Sequence, residues 1–248
     1  MTEMVDSMTS LREEQRHRHG ASVAKRPVLN VLPVRADPVQ LPALSPTSER
    51  VMRLIDVVGA VVLLLVFAPV IVVSSILVKL TGRGPVIFRQ ERAGRGGESF
   101  IVLKFRTMTD GTHERVLSDP ELRRQYEENN FKLPADHAHI TRIGRWLRKT
   151  SLDELPQLVN VLRGEMALVG VRPLKPEELA LRDRYDRELY CRHRPSLTGL
   201  WQVQGRSAIG GDHRIELDRE CLEQWGVRSY VKILLRTPAV VLCGAGAH

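Results

Sequence analysis

From Val57 to Val78 the chain runs for 22 residues without a charged side chain. As a helix, such a run matches the roughly 30 Å thickness of a bilayer's hydrocarbon core. A buried core helix is the alternative, but so unbroken an apolar stretch favours insertion. Two details argue against a plain span. Pro69 lies mid-run, where it removes the N–H that would bond the Leu65 carbonyl and bends the helix. Cations also flank both ends, Arg50 and Arg53 before it and Lys79, Arg83, Arg89 and Arg92 after it. The positive-inside rule then holds both ends on the cytoplasmic side. A helix that enters, breaks at Ala68-Pro69 and returns satisfies both observations. The freed carbonyl needs a partner, with Ser74, Ser75 or water as the candidates.

The rest of the chain is long enough for one sizeable core: 248 residues, 43% hydrophobic, with aromatics only 5%. A formal charge of +8 predicts attraction to anions, whether nucleic acid, anionic lipid or phosphorylated substrates. The cysteines, Cys191, Cys221 and Cys243, are far apart and odd in number, which argues against a disulfide framework or a zinc site. The histidines form no ligand pair at helical spacing.

Residues 1–48 mix charges with scattered prolines and read as a disordered tail. Beyond the apolar run, Pro85–Glu91 and Ser99–Thr107 are β-rich and separated by the turn Gly94-Arg95-Gly96-Gly97, a hairpin signal. Residues 112–130 are polar, helix-prone and read as a surface insertion. Helices are expected from Ile140, from Ser151 to Leu162 and from Arg182 to Tyr190. Near the end, Trp225, Tyr230, Lys232 and Arg236 fringe Val231, Ile233, Leu234 and Leu235. That pattern suits either a helix lying in a membrane interface or one packed on the core. The expected fold class is mainly α with a small β-hairpin, an α+β chain.

The chemistry concentrates in Thr150-Ser151-Leu152-Asp153-Glu154-Leu155-Pro156-Gln157. Ser151-x-x-Glu154 has the form of a capping box, a purely structural device. Pro156 weakens that reading, since it would delete an intrahelical bond five residues on. Adjacent acids at a helix start suit phosphoryl chemistry, because free N–H groups and the dipole favour an anionic Asp153 and an incoming phosphate. A carboxylate can hold Mg²⁺. An aspartate can itself attack phosphorus, splitting one displacement into two.

Five motifs follow in order: Lys104-Phe105-Arg106-Thr107-Met108, Arg148 to Leu158, Asn160 to Met166, Gly170 to Leu174, and Arg194 to Arg206. From about residue 50 onward the chain resembles the bacterial sugar transferase family, the monotopic polyprenyl-phosphate phosphoglycosyl transferases. The resemblance implies a re-entrant membrane helix over 51–80, a cytosolic catalytic part over 81–248 and amphipathic interfacial helices. Residues 49–248 would form one transferase domain at the cytoplasmic face of the bacterial inner membrane. It implies a Mg²⁺-dependent reaction in which a UDP-sugar gives its sugar phosphate to polyprenyl phosphate. Asp153 matches the nucleophile and metal ligand. Glu154 matches the second acid, as general base or as organiser of metal and phosphate.

Arg148, Arg172 and Arg206 match the family's phosphate-binding arginines, and a planar, permanently charged fork suits phosphate oxygens. Lys104 and Arg106 alternate on the second hairpin strand and are expected to face one anionic site. Val171 stands where the family commonly has proline, and Ser196 where it has glycine. Membrane lipid, a second copy of the chain and pathway glycosyltransferases are the further partners such an enzyme would meet; nucleic acid is not expected. A membrane-anchored scaffold or nucleic-acid-binding protein would also account for the apolar run and the basic charge. It would leave an acidic pair among arginines without a purpose, and no nucleic-acid-binding motif is present.

Overall fold

The computed structural model describes residues 40–42, 45–128, 133, 137–205 and 211–242. The reading of 1–48 as a tail falls almost wholly outside them, but Pro46 already opens the first helix.

That helix, α1 (Pro46–Val66), begins with Ser45 as N-cap and Pro46 in its first turn, where a missing N–H is harmless. A second, α2 (Ala68–Leu80), follows Phe67 at a bend of 64°. Among the described residues no single helix is long and apolar enough to cross a membrane; the bent pair qualifies together. Pro69 sits in the first turn of α2, so the chain breaks where its N–H is missing. The Leu65 carbonyl accepts from the Phe67 N–H rather than from a serine. Ser75 Oγ instead donates to the Ile71 carbonyl at 2.7 Å, and Ser74 Oγ has no hydrogen-bond partner among the described residues.

One face of α1 is tied down. Met52, Asp56 and Ala60, at helical spacing, are buried. Arg53 donates to the Val161 and Leu162 carbonyls at 2.7 and 3.0 Å, placing a cation at the end of α6 (Gln157–Arg163). Asp56 accepts the Leu168 N–H at 2.7 Å and the Tyr230 hydroxyl. The other face is bare: Leu54, Val58, Val62, Leu65 and Val66 are exposed, as are Val72, Val73, Ile76 and Leu80 on α2.

The hairpin forms as expected. Strands β1 (Ile87–Ala93) and β2 (Ser99–Phe105) pair antiparallel from Ile87↔Phe105 to Ala93↔Ser99. Gly96 and Gly97 take positive φ in the turn. A second two-stranded sheet has no counterpart in the sequence pattern: β3 (Ala167–Val169) and β4 (Ser196–Thr198) pair in parallel. The two departures from the family pattern meet here. Ser196 N–H donates to the Val171 carbonyl at 2.7 Å, and Ser196 Oγ donates to the Thr198 carbonyl at 2.9 Å. Both side chains are buried, and neither residue takes positive φ.

The remaining helices wrap these sheets. The 112–130 segment forms α3 (Thr112–Ser118) and α4 (Pro120–Glu128), capped between them by Asp119. It buries Val116 against Leu133 and Ile140, with Met108, Leu122 and Tyr126 alongside, so it is docked on the body. Next come α5 (Arg142–Thr150), α7 (Pro176–Ala180), α8 (Arg184–Arg192), α9 (Leu200–Gln204), α10 (Gly211–Glu223) and α11 (Val227–Leu242). On α11, Tyr230 and Ile233 enter the main core, whereas Leu235 is 74% exposed beside exposed Lys232 and Arg236. Tyr230 is therefore a core residue and not part of an interfacial fringe; its hydroxyl finds Asp56, as a buried phenol requires. The whole is mainly α with small sheets, an α+β fold.

Candidate active site

The site is assembled where β2, α5 and the start of α6 converge. Thr141 caps α5 by accepting the Gly144 N–H at 2.9 Å, and its own N–H donates to the Thr107 carbonyl at 3.0 Å. Gly144 lets the helix lie directly on the strand exit: a Cβ there would stand 2.0 Å from the Thr107 carbonyl oxygen. This close approach lets Arg148 Nε donate to Thr107 Oγ1 at 3.0 Å. Leu147, fully buried, packs with Phe105 of β2 and Val78 of α2, joining the bent helix pair to the site.

Ser151 then reverses the chain. Its φ of 58° and ψ of 14° are left-handed, and among the described residues it is the one non-glycine with positive φ. The sequence pattern predicts a helix from Ser151 to Leu162 with the form of a capping box at its start. Instead, Ser151 makes no side-chain cap bond, Leu152–Glu154 form a single 3₁₀ turn, and α6 starts at Gln157. Pro156 at the N-cap accounts for the late start, since it cannot donate within a helix. The left-handed turn stores strain at the dyad. Ser151→Gly is expected to leave stability unchanged or to raise it by up to about 1 kcal/mol, while Ser151→Val lowers it by about 1–2 kcal/mol, read by denaturant unfolding in detergent.

The reversal sets Asp153 and Glu154 toward a cavity of about 1710 Å³. Glu154 Oε1 is 2.9 Å from Lys104 Nζ. The Asp153 carboxylate accepts a hydrogen bond from its own backbone N–H. Burial, then repulsion from Glu154, push its pKa up to about 6, against the pull of Lys104 and Arg148. The expected gain from a helix dipole does not materialise, because α6 begins three residues too late to solvate this carboxylate. Burial also lowers the pKa of Arg148, with Asp153 opposing the shift, though a guanidinium stays charged.

The sequence-derived cations divide into groups. Lys104 and Arg148 join the dyad. Arg106 borders the same cavity but turns to the bent helices, donating to the carbonyls of Arg83, Val78 and Gly82 at 2.7, 3.1 and 3.1 Å. The two alternating side chains of β2 therefore diverge instead of facing one anion. Arg106→Lys is expected to lower stability by about 2–3 kcal/mol, because an ammonium cannot span three acceptors as the planar fork does; thermal unfolding measures this. Arg172 lines the cavity as well, paired to Glu178. Arg206 lies outside the described residues.

Three contributors have no site role assigned from the sequence, although Thr107 and Asn160 fall within two of the ordered motifs. Thr107 orients Arg148. Asn160 sutures β2 to α6, accepting the Leu103 N–H at 3.1 Å and donating to the Ile101 carbonyl at 2.7 Å. Tyr126, from the inserted helices, lines the cavity under Lys175, whose Nζ sits 4.3 Å from the ring centroid. Nothing in spacing marks such long-range partners.

The donor set is also compatible with a hard divalent cation. Among the described residues no group of three His, Cys, Asp or Glu is gathered. Mg²⁺ commonly takes one or two carboxylates, with water and substrate phosphates completing its shell, so Asp153 and Glu154 suffice.

The α+β chain sets paired carboxylates among cations, beside a bent apolar helix pair. Residues 47–244 match the family model described as bacterial sugar transferase, and the chain belongs to that family. It is 42% identical over 208 residues to the UDP-galactose-lipid carrier transferase of Erwinia amylovora, covering 82% of this chain and 42% of that protein. With the undecaprenyl-phosphate galactose phosphotransferase of Salmonella typhimurium it shares 39% over 207 residues, 82% of this chain and 42% of that one. The exopolysaccharide production protein ExoY of Rhizobium meliloti is 39% identical over 216 residues, 85% of this chain and 94% of its own length. The chain thus spans less than half the length of the first two relatives and nearly all of the third.

Proposed function

We infer that this protein transfers a sugar phosphate from a UDP-sugar to a polyprenyl phosphate and releases UMP, at the cytoplasmic face of a bacterial inner membrane. The observation that carries this reading is Asp153: a carboxylate under the pull of Lys104 and Arg148, on a cavity that Leu63, Phe67 and Leu234 also wall. The names of the relatives, two of them lipid-carrier or undecaprenyl-phosphate transferases, point the same way.

In the first step an Asp153 oxygen attacks the β-phosphorus of the donor. The bond to the bridging oxygen breaks and UMP departs, leaving a phosphosugar ester on Asp153. An oxygen of polyprenyl phosphate then attacks the same phosphorus, forming the lipid diphosphate sugar and freeing the carboxylate. Lys104, held by Glu154, and Arg148, held by Thr107, face the charge that develops on the phosphoryl oxygens. A bound Mg²⁺, held by Asp153 and Glu154, would neutralise pyrophosphate charge. Burial supports the nucleophilic role too, because a poorly solvated carboxylate gains by bonding to phosphorus.

The bent pair α1–α2 serves as the membrane element. Its apolar outer face meets lipid, and its cationic ends stay on one side as a re-entrant helix. A cysteine placed in the N-terminal segment should resist impermeant reagents in intact cells; periplasmic labelling would contradict re-entry. Activity itself is tested by UMP release in detergent with a panel of UDP-sugars, polyprenyl phosphate and Mg²⁺. Because Asp153 must be ionised, kcat/KM is expected to fall on the acid side with an apparent pKa near about 6. Glu154→Gln should move that limb to lower pH, since it removes a like charge and leaves Lys104 free to face Asp153.

A further inference from the structure

The first turns of α1 gather guanidinium groups from three separate parts of the chain. Glu49 and Arg53 lie four residues apart and so leave one face of the helix. Arg95, from the hairpin turn, donates Nη2 to Glu49 Oε1 at 3.1 Å. Arg53 Nη2 stands 3.5 Å from where a Cβ on Gly164 would lie. Arg194, two residues before β4, donates Nε to the Gly164 carbonyl at 3.0 Å. Arg53, Arg95 and Arg194 therefore converge at one end of α1, with exposed Arg50 one turn before Arg53 and exposed Arg163 adjoining Gly164.

Their protein partners do not neutralise this charge. Arg53 commits both terminal nitrogens to the Val161 and Leu162 carbonyls, as a cation at a helix C-terminus does. Glu49 answers one guanidinium, and the buried Asp56 is engaged by the Leu168 N–H and the Tyr230 hydroxyl. Arg194 makes no hydrogen bond through Nη1 or Nη2 among the described residues, and the Arg95 side chain is 41% exposed.

The cluster also stands against an apolar surface. Val51, Leu54 and Val58 of α1 are exposed, so the bare face of the helix begins within one turn of Arg53. The active-site cavity reaches α1 first at Leu63, ten residues or about 15 Å further along its axis, and none of these five arginines lines it. We propose that Arg53, Arg95 and Arg194 bind the phosphodiester headgroup of an anionic glycerophospholipid, at a site apart from the dyad. Such a lipid joins an anion to an apolar body and so matches both surfaces at once, whereas a soluble polyanion would leave the apolar face bare. Held there, the headgroup fixes the depth at which α1 enters the bilayer. The proposal rests on the reading of α1–α2 as the membrane element.

Native mass spectrometry of the full chain, released from detergent containing equal phosphatidylglycerol and phosphatidylcholine, counts the lipid retained. The wild type is expected to retain phosphatidylglycerol by about twentyfold or more over phosphatidylcholine. Arg95→Gln and Arg194→Gln should each lower that ratio by about fivefold, and Arg194→Lys should recover most of it because the charge stays. Arg115→Gln, the same change of charge on exposed α3, should leave the ratio as it is. Equal retention of both lipids by the wild type, or an equal loss in Arg115→Gln, would overturn the site. Stronger retention of polyprenyl phosphate than of phosphatidylglycerol, lost in Arg194→Gln, would give the arginines to the acceptor and overturn the glycerophospholipid. The labelling of an N-terminal cysteine reads the membrane element separately: re-entry without a lipid preference rejects the site alone, and a preference with periplasmic labelling rejects re-entry alone. Likewise, a chain that keeps the preference but releases no UMP rejects only the transferase reading.

Discussion

Replacing Asp153 by Asn is expected to abolish UMP release, by at least about a thousandfold, while making the fold more stable near neutral pH. The first half follows from removing the nucleophile. The second follows from burial, which raises the Asp153 pKa from 3.8 to about 6. Between those values the folded protein holds more protons than the unfolded chain, so stability falls as pH rises through the window and stays lowered above it. The Asn variant has no such ionisation. Its thermal midpoint should match that of the wild type near pH 4 and exceed it above about pH 6, by about 2–4 °C for each kcal/mol removed. Equal midpoints across the range would show that the anion is not strained, and residual turnover would rule out the covalent route.

The second large effect is expected at Gly144, which does not itself line the cavity. A methyl group there would lie 2.0 Å from the Thr107 carbonyl oxygen, which belongs to backbone and cannot swing aside. Helix α5 must then lift from β2 by about 1 Å or more, carrying Arg148 away from Thr107 and the Ser151 turn away from Lys104. Gly144→Ala should therefore reduce kcat/KM by about a hundredfold, the order expected for such a misplacement. It should also destabilise the fold by about 1–3 kcal/mol, as overpacking does. Near-normal turnover would mean that the dyad does not depend on the seating of α5.

These two sites differ in how far the sequence reveals them. Asp153 is visible because two adjacent acids in a basic chain, within five ordered motifs, suit phosphoryl chemistry better than they suit a helix cap. The hairpin is visible through alternating β-formers around a glycine-rich turn, and the break at Pro69 through the missing N–H. The seating of Gly144 is not, because it depends on a strand exit thirty-seven residues earlier meeting a helix face. Likewise the αL turn at Ser151 is hidden by a local pattern that also spells a capping box; the tertiary contacts of α5 and Pro156 decide between them. Arg106 shows the same limit. It does alternate with Lys104 along β2, yet a long side chain can reach past the site, and three carbonyls at the end of α2 and just beyond hold it there. The strands β3 and β4 are three residues each, too short to impose a period.

Catalysis by this route requires a bond between the Asp153 carboxylate and the donor's phosphorus. Incubating the full chain with a UDP-sugar labelled at the β-phosphate, without lipid acceptor, and mapping the quenched protein by peptide mass tests that bond directly. A sugar phosphate on the peptide carrying Asp153, discharged when polyprenyl phosphate is added, is the predicted result. UMP release that requires the acceptor from the outset, with no adduct on that peptide, would contradict it.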